Sequence, residues 1–213
     1  MGRMPAAERR EQLLDVAADL FSTQGYARTT TAQLAKAAGV TEPIIYRHFA
    51  SKRDLFVALI ERTGQQTLTT WEADLAEESD AAARVSRLIS DNPMVTDPGR
   101  VLYRVFLQAI TEVDDDEIRS AVDVHIKALH RFICRELEAA QSEGRVRDVF
   151  TAELLAWVMI DLGLGYGVLS AMKIPGHSRD SSGSHVRQLL ARVMVGKKIP
   201  PPPDKVESEL RDD

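Results

Sequence analysis

The chain has 213 residues, 44% of them hydrophobic and 28% charged, with a net charge of −5. That length holds one large domain or two small ones, and the composition is that of a globular protein with a proper core. A single cysteine, Cys134, excludes an internal disulfide framework and fits a reducing compartment.

The overall negative sign argues against nucleic acid, but its distribution argues the other way. Residues 1–53 hold 8 Lys/Arg against 5 Asp/Glu, and the remainder holds 19 against 27. A basic head on an acidic body fits one end docking on phosphates. Met1–Arg10 is polar, and no signal peptide or myristoylation pattern is visible, so a cytoplasmic location is expected.

Residues 1–7 are expected to form a loose arm carrying Arg3. The first helix is predicted from about Ala7 to Gln24, with Leu13, Leu14, Ala17, Leu20 and Phe21 at helical spacing. Gly25 ends it. Arg9, Arg10 and the arm are placed to touch backbone phosphates. Residues 29–53 then read as two short helices joined by a tight turn. Thr30 caps the first, and Gln33 three residues on completes a capping-box pattern. Leu34, Ala35 and Ala38 form its apolar stripe. Gly39 ends it in a left-handed conformation, and Val40 is the apolar turn residue. Thr41 starts the second helix, where Pro43 is tolerated in the first turn. Ile45 and Phe49 face inward; Thr41, Glu42, Tyr46 and Arg47 face outward. This is a helix-turn-helix, whose second helix enters the major groove with its N-terminal residues at the base edges.

Gly25-Tyr26, Thr29-Thr30, Leu34-Ala35, Ala38-Gly39-Val40, Ile45-Tyr46, His48-Phe49 and Ser51-Lys52 carry a resemblance to the tetracycline-repressor (TetR) family of bacterial transcription regulators. The motif resemblance covers roughly residues 8–60. It implies an all-α protein of about nine helices. An N-terminal three-helix DNA-binding domain (1–50) would precede a larger effector-binding and dimerisation domain (51–196) and a proline-rich disordered tail (197–213).

The resemblance implies a set of DNA contacts. Thr30 offers its hydroxyl and helix amides to a phosphate. Thr41, Glu42, Pro43 and Ile44 lie on the first turn of the reading helix; Glu42 accepts from cytosine N4, and Pro43 and Ile44 suit thymine methyls. Tyr46 contacts backbone, Arg47 reads guanine or binds phosphate, and His48 and Lys52 match phosphate-contacting positions. Each has a plainer reading: caps for the threonines, core packing for Tyr46, a solvated charge for Arg47, and a structural histidine for His48.

Beyond the head, Ser51 caps a long helix from Lys52 to about Glu78, the link between head and body and the expected lever of any head movement. Helices follow over about Ala81–Ile89, Arg100–Val113 and Asp116–Ser142. Asp97-Pro98-Gly99 reads as a loop, and Asp114–Glu117 as a solvated turn favouring the next helix's N-terminus. The Asp116–Ser142 helix buries Ile118, Val122, Ile126, Leu129, Ile133 and Leu137, and Gly144 closes it. Thr151–Met172 is apolar nearly all round. Glu153 and Asp161 interrupt it, so a soluble helix covered by a copy of itself is preferred to a membrane span. With a last helix over about Ser184–Val195 it makes half of a four-helix dimer bundle. Trp157, Leu162, Gly163, Gly167, Leu189 and Val193 are the expected dimer contacts, the two glycines allowing close approach.

The family also implies a small-effector pocket in the body, for which Trp71, Tyr103, Phe106, Trp157 and Tyr166 are candidates, with Met94 nearby. Cys134 has His130 one turn earlier, but no third catalytic partner is apparent. The histidines have no metal-site spacing. The expected molecule is therefore not an enzyme and needs no cofactor. It is a dimeric, ligand-released repressor on a palindromic DNA operator, with no membrane partner. The alternative is a helical adaptor or small-molecule-binding protein that no longer regulates through DNA.

Overall fold

A computed structural model describes residues 4–90, 104–172, 174, 177, 188–190, 192 and 194. Helices are the main elements among them: α1 (Ala6–Gln24), α2 (Thr31–Ala38), α3 (Glu42–Tyr46), α4 (Lys52–Ala76), α5 (Ala81–Ser90), α6 (104–109), α7 (Asp116–Ser142) and α8 (Ala152–Ala171). A single 3₁₀ turn, Ile110–Glu112, follows α6. Residues 188–190, 192 and 194 are also helical. The arm's first three residues, the segment 91–103 and the tail 197–213 lie outside the described residues.

The caps form where the residue chemistry asks for them. Thr30 accepts from the Gln33 amide, Gln33 reaches back to the Thr30 amide, and Gly39 takes φ 66° and ψ 33° to close α2. Ser51 accepts from the Asp54 amide to start α4. Asp115, in the turn expected to favour the next helix's N-terminus, caps α7 by accepting from the amides of Glu117 and Ile118. Gly25 ends α1 as expected, with a positive φ of 88° and a ψ of 149° that lies outside the left-handed helical region. Gly25 N–H still donates to Phe21 O, at 2.9 Å.

Two apolar cores share the two longest helices. The first joins Leu13, Phe21, Leu34, Ile45 and Phe56 of the N-terminal helices to Val105, Phe106 and Ala109 of α6 and Ile118 of α7. Packing therefore runs without a break across residue 50. The second core joins Trp71 and Leu75 of α4, Val85 and Leu88 of α5, Ile133 and Leu137 of α7, and Leu155, Ala156 and Met159 of α8. Between them α4 presents Thr63, Gly64 and Thr67 and α7 presents His125, all buried. The α7 stripe is thus wider and more polar than its apolar spacing suggests. His125 and Glu136 are buried, while Val122 and Ile126 are only partly covered.

Glu136 stays ionised because Arg84 Nε donates to it at 2.7 Å and Arg135 adds a second contact. Burial raises its carboxyl pKa and the arginines more than offset that, leaving it below the usual carboxylate range. Arg84 also donates to Leu75 O at 2.7 Å, tying the end of α4 to α5 and α7.

α8 is the one described helix long and apolar enough to cross a membrane by length and composition. Its inner face is built into the second core through Leu155, Ala156, Met159 and Ile160, as in a core helix.

Candidate nucleic-acid interface

The reading helix α3 is anchored from below. Ile45 is fully buried and Phe49 nearly so, burial that stabilises each by roughly 1.5–3 kcal/mol. This leaves Thr41, Pro43, Tyr46 and Arg47 exposed on the opposite side, with Ile44 and His48 partly covered. Thr30 and Lys36 of the neighbouring helix are exposed as well. Thr41 makes no side-chain cap to α3, so its hydroxyl is not occupied in holding the helix.

Three of the residues expected at DNA also make contacts within the head. The Glu42 carboxylate accepts from the Thr31 hydroxyl at 2.7 Å and braces α3 against the first turn of α2. That position also suits a negative charge, because Thr31 opens a helix whose N–H groups face outward. Tyr46 is half exposed, and its hydroxyl donates to the same Thr31 oxygen at 3.4 Å. Lys52 is turned inward: its Nζ donates to Tyr26 O at 2.9 Å and Thr29 O at 3.0 Å and lies 4.3 Å from the Tyr26 ring centroid. Desolvation lowers its pKa. Its main task is to hold the turn between α1 and α2.

Arg10, expected at a phosphate, is also turned inward. It donates to His48 O at 3.4 Å and lies over the Phe49 ring at 4.3 Å, clamping the end of the reading helix to α1. Thr31 is the residue that spacing alone missed. It stands one place after the capping threonine, and nothing in the sequence marks it as the shared partner of Glu42 and Tyr46. Acidic Glu11 and Asp15 of α1 are paired to Arg62 of α4 at 3.1 and 2.8 Å, which offsets negative charge on the head.

Among the body residues expected to line a pocket, Trp71 and Phe106 lie in different cores. Trp71 is packed in the second core beside Phe132, and Phe106 is in the first core, stacked on His125 at 4.3 Å. Tyr166 is buried, whereas Trp157 is 39% exposed on the outer face of α8. Tyr103 and Met94 lie outside the described residues.

The expected dimer contacts divide in the same way. Gly163 and Gly167 are buried within the chain. The outer face of α8 instead carries Leu154, Trp157, Leu169 and Met172, with partly covered Leu162. Gly165 stands on that face, and a Cβ there would meet nothing within 4 Å. Leu189 is 52% exposed; Val193 lies outside the described residues.

His130 and Cys134 each have other partners, the Cys134 thiol donating to Glu138 Oε1 at 3.5 Å. The His130 ring stacks on Trp157 at 4.3 Å and approaches Glu153 O at 3.1 Å. Burial and the neighbouring Glu138 push the Cys134 thiol up, away from its nucleophilic form. Among the described residues no group of three or more His, Cys, Asp or Glu is placed to hold a metal ion.

Comparison with known proteins agrees with this geometry. The profile described as "Bacterial regulatory proteins, tetR family" matches residues 13–59, the span from α1 into α4. Nucleoid occlusion factor SlmA of Enterobacter sp. is 31% identical over 155 residues, covering 70% of this chain and 78% of that protein. SlmA of Marinobacter nauticus is 42% identical over 80 residues, only 38% of this chain and 41% of that protein, so this match spans less than half of the relative's length. A candidate transcriptional regulator from Saccharomonospora viridis, solved with choline, superposes with a TM-score of 0.77 at 26% identity, over 86% of this chain and 94% of that one. FadR of Bacillus subtilis, solved with stearoyl-CoA, shares the fold at a TM-score of 0.72 and 20% identity, over 86% of this chain and 98% of that one. The helix-turn-helix geometry, the profile match across it and the 155-residue relative together place this chain in the TetR family of bacterial regulatory proteins.

Proposed function

We propose that the protein is a transcriptional regulator in the cytoplasm that binds a palindromic DNA operator as a homodimer and is released by a small-molecule effector. The observation that carries the DNA reading is the surface of α3. Two buried anchors hold a short helix outward, and its free face combines apolar groups suited to thymine methyls with one exposed arginine. The large apolar side chains exposed on the outer face of α8, which that face shares with Asp161, support the dimer, because a row of such side chains on one helix is an interaction surface. Gly165, rather than the two buried glycines, is then the point where a second copy of α8 approaches most closely. The effector reading is supported by two structural neighbours solved with choline and with stearoyl-CoA.

Mobility shift on the duplex flanking the protein's own gene, over a salt series, tests this reading. Saturable binding that weakens steeply with salt and prefers that duplex over unrelated DNA is the expected result. Leu169→Glu places a charge on the exposed face of α8 without touching either core. It is expected to yield a folded monomer by sedimentation that binds the operator at least tenfold more weakly. A wild-type chain that is monomeric and ignores every duplex at low salt refutes the proposal.

A second reading is favoured by the length of the Enterobacter match, which extends past the head into the body. On that reading the chain is a nucleoid occlusion factor. Chromatin immunoprecipitation separates the two: a few sites near regulated genes support an operator-bound regulator, and sites spread over the chromosome support nucleoid occlusion.

A further inference from the structure

The turn between α1 and α2 closes on itself through Thr29 N–H, which donates to Gly25 O and Tyr26 O at 3.2 Å, but its Tyr26 amide is held from outside the turn. A helix ended by a left-handed glycine commonly satisfies the next amides by bonding them back to the helix's last carbonyls. Gly25, with ψ 149°, directs the chain away from that geometry, and the following amide, Tyr26 N–H, does not turn back. It donates to Gln108 Oε1 of α6, 82 residues on, at 2.7 Å. The same side chain's Nε2 donates to Phe21 O of α1 at 2.6 Å. The orientation of the amide is forced, because a backbone N–H requires an oxygen and a backbone carbonyl requires an N–H.

One glutamine of the body thus completes the C-terminal cap of a head helix, and each of its two polar atoms has a partner there. Phe21 O also accepts from Gly25 N–H, so Gln108 takes its second lone pair. Past the turn, Lys52 holds Tyr26 O and Thr29 O. The Tyr26 ring stacks on Phe56 at 4.2 Å. Thr30 then opens α2, whose first residue braces the reading helix through Glu42. At the other end of the path, Phe106, two residues before Gln108 on α6, stacks on His125 in the polar seam between the cores. A shift of α6 therefore moves both contacts together. Apolar packing tolerates small slides, whereas two short opposed hydrogen bonds are directional and do not.

We propose that Gln108 is a positioning residue for DNA reading: its side-chain amide, capping α1 from the body, sets the angle at which α2 and α3 are presented, so α6 governs the head alongside α4. This rests on the reading of the head as the operator-binding element.

The test uses the full-length protein with Gln108→Met, which keeps length and bulk but removes both hydrogen bonds. Gln108→Glu is the second variant; it keeps the acceptor for Tyr26 N–H and sets a carboxylate against Phe21 O. Hydrogen–deuterium exchange is read first, without DNA. Residues 22–30 are expected to exchange at least tenfold faster in both variants, with α8 unchanged. Affinity is then measured for a duplex selected from a random pool with the wild-type protein, and for an unrelated duplex. Specific binding is expected to fall roughly 10–100-fold, with the unrelated duplex bound as before, because phosphate contacts tolerate a misaligned reading helix. Unchanged exchange over residues 22–30, or an unchanged ratio of specific to unrelated binding, overturns the proposal. If Gln108→Met does not fold, Gln108→Glu decides by the same readings. If the wild type selects no duplex, the DNA reading fails, while exchange at the turn still decides whether Gln108 holds it.

Discussion

Thr31 shows how one hydroxyl can reassign its neighbours. With Glu42 bonded to it at 2.7 Å, the carboxylate braces α3 against α2. Glu42→Gln preserves an acceptor for Thr31 and removes a charge that repels DNA. It is expected to tighten binding several-fold at low salt, an effect of up to about 1 kcal/mol, without altering preference at any operator position. A changed preference at a single base pair, read by competition with mutated duplexes, would restore Glu42 as a reader. Arg47 is the exposed cation of α3. Arg47→Ala is expected to cost roughly 1–3 kcal/mol and relax one operator position. Uniform weakening with a shallower salt dependence would assign it to a phosphate instead.

The element scale turns on α4 meeting α7. Gly64 of α4 lies against the His125 ring so closely that a Cβ there would stand 2.6 Å from Nδ1. Gly64→Ala would gain roughly 1 kcal/mol of helix propensity in open surroundings. Here the clash outweighs that, and a net loss of about 1–3 kcal/mol is expected in urea unfolding. Gly165→Ala is the counterpart on α8, where a Cβ meets nothing within the subunit. It is expected to leave the subunit as stable or more stable and to weaken dimerisation, read by sedimentation equilibrium. Helical spacing gave no warning of either result, because it marks both glycines only as poor helix formers and cannot say which faces a neighbour.

At the scale of the molecule, His125 couples the two cores to pH. Burial lowers its pKa from 6.5 to about 4. The unfolded chain therefore holds more protons than the folded one between those values. Stability contributed by keeping the ring neutral is fully present above about 6.5 and is lost as pH falls towards about 4, by about 3 kcal/mol in all. Denaturant midpoints at pH 7 and pH 4.5 check this, with His125→Phe as the partner variant. That change keeps a ring against Phe106 but cannot titrate, so its midpoint is expected to move less between the two pH values. Equal shifts in both proteins would show that other groups account for the acid sensitivity.

Much of the architecture was legible in the chain because its causes are local. Capping residues, apolar spacing and turn glycines act within one or two helical turns, so α1, α2, α4, α5, α7 and α8 lie close to where spacing predicts them. The inward placement of Ile45 and Phe49 followed from the same arithmetic. What only the tertiary structure decided are contacts between residues far apart in sequence. Examples are the α1 cap supplied by Gln108, the engagement of Lys52 and Arg10 within the head, the burial of His125 and Glu136, and the choice of Gly165 over Gly163 and Gly167 for the open face of α8. Each depends on what the opposing helix presents at that point, and local periodicity carries no information about that.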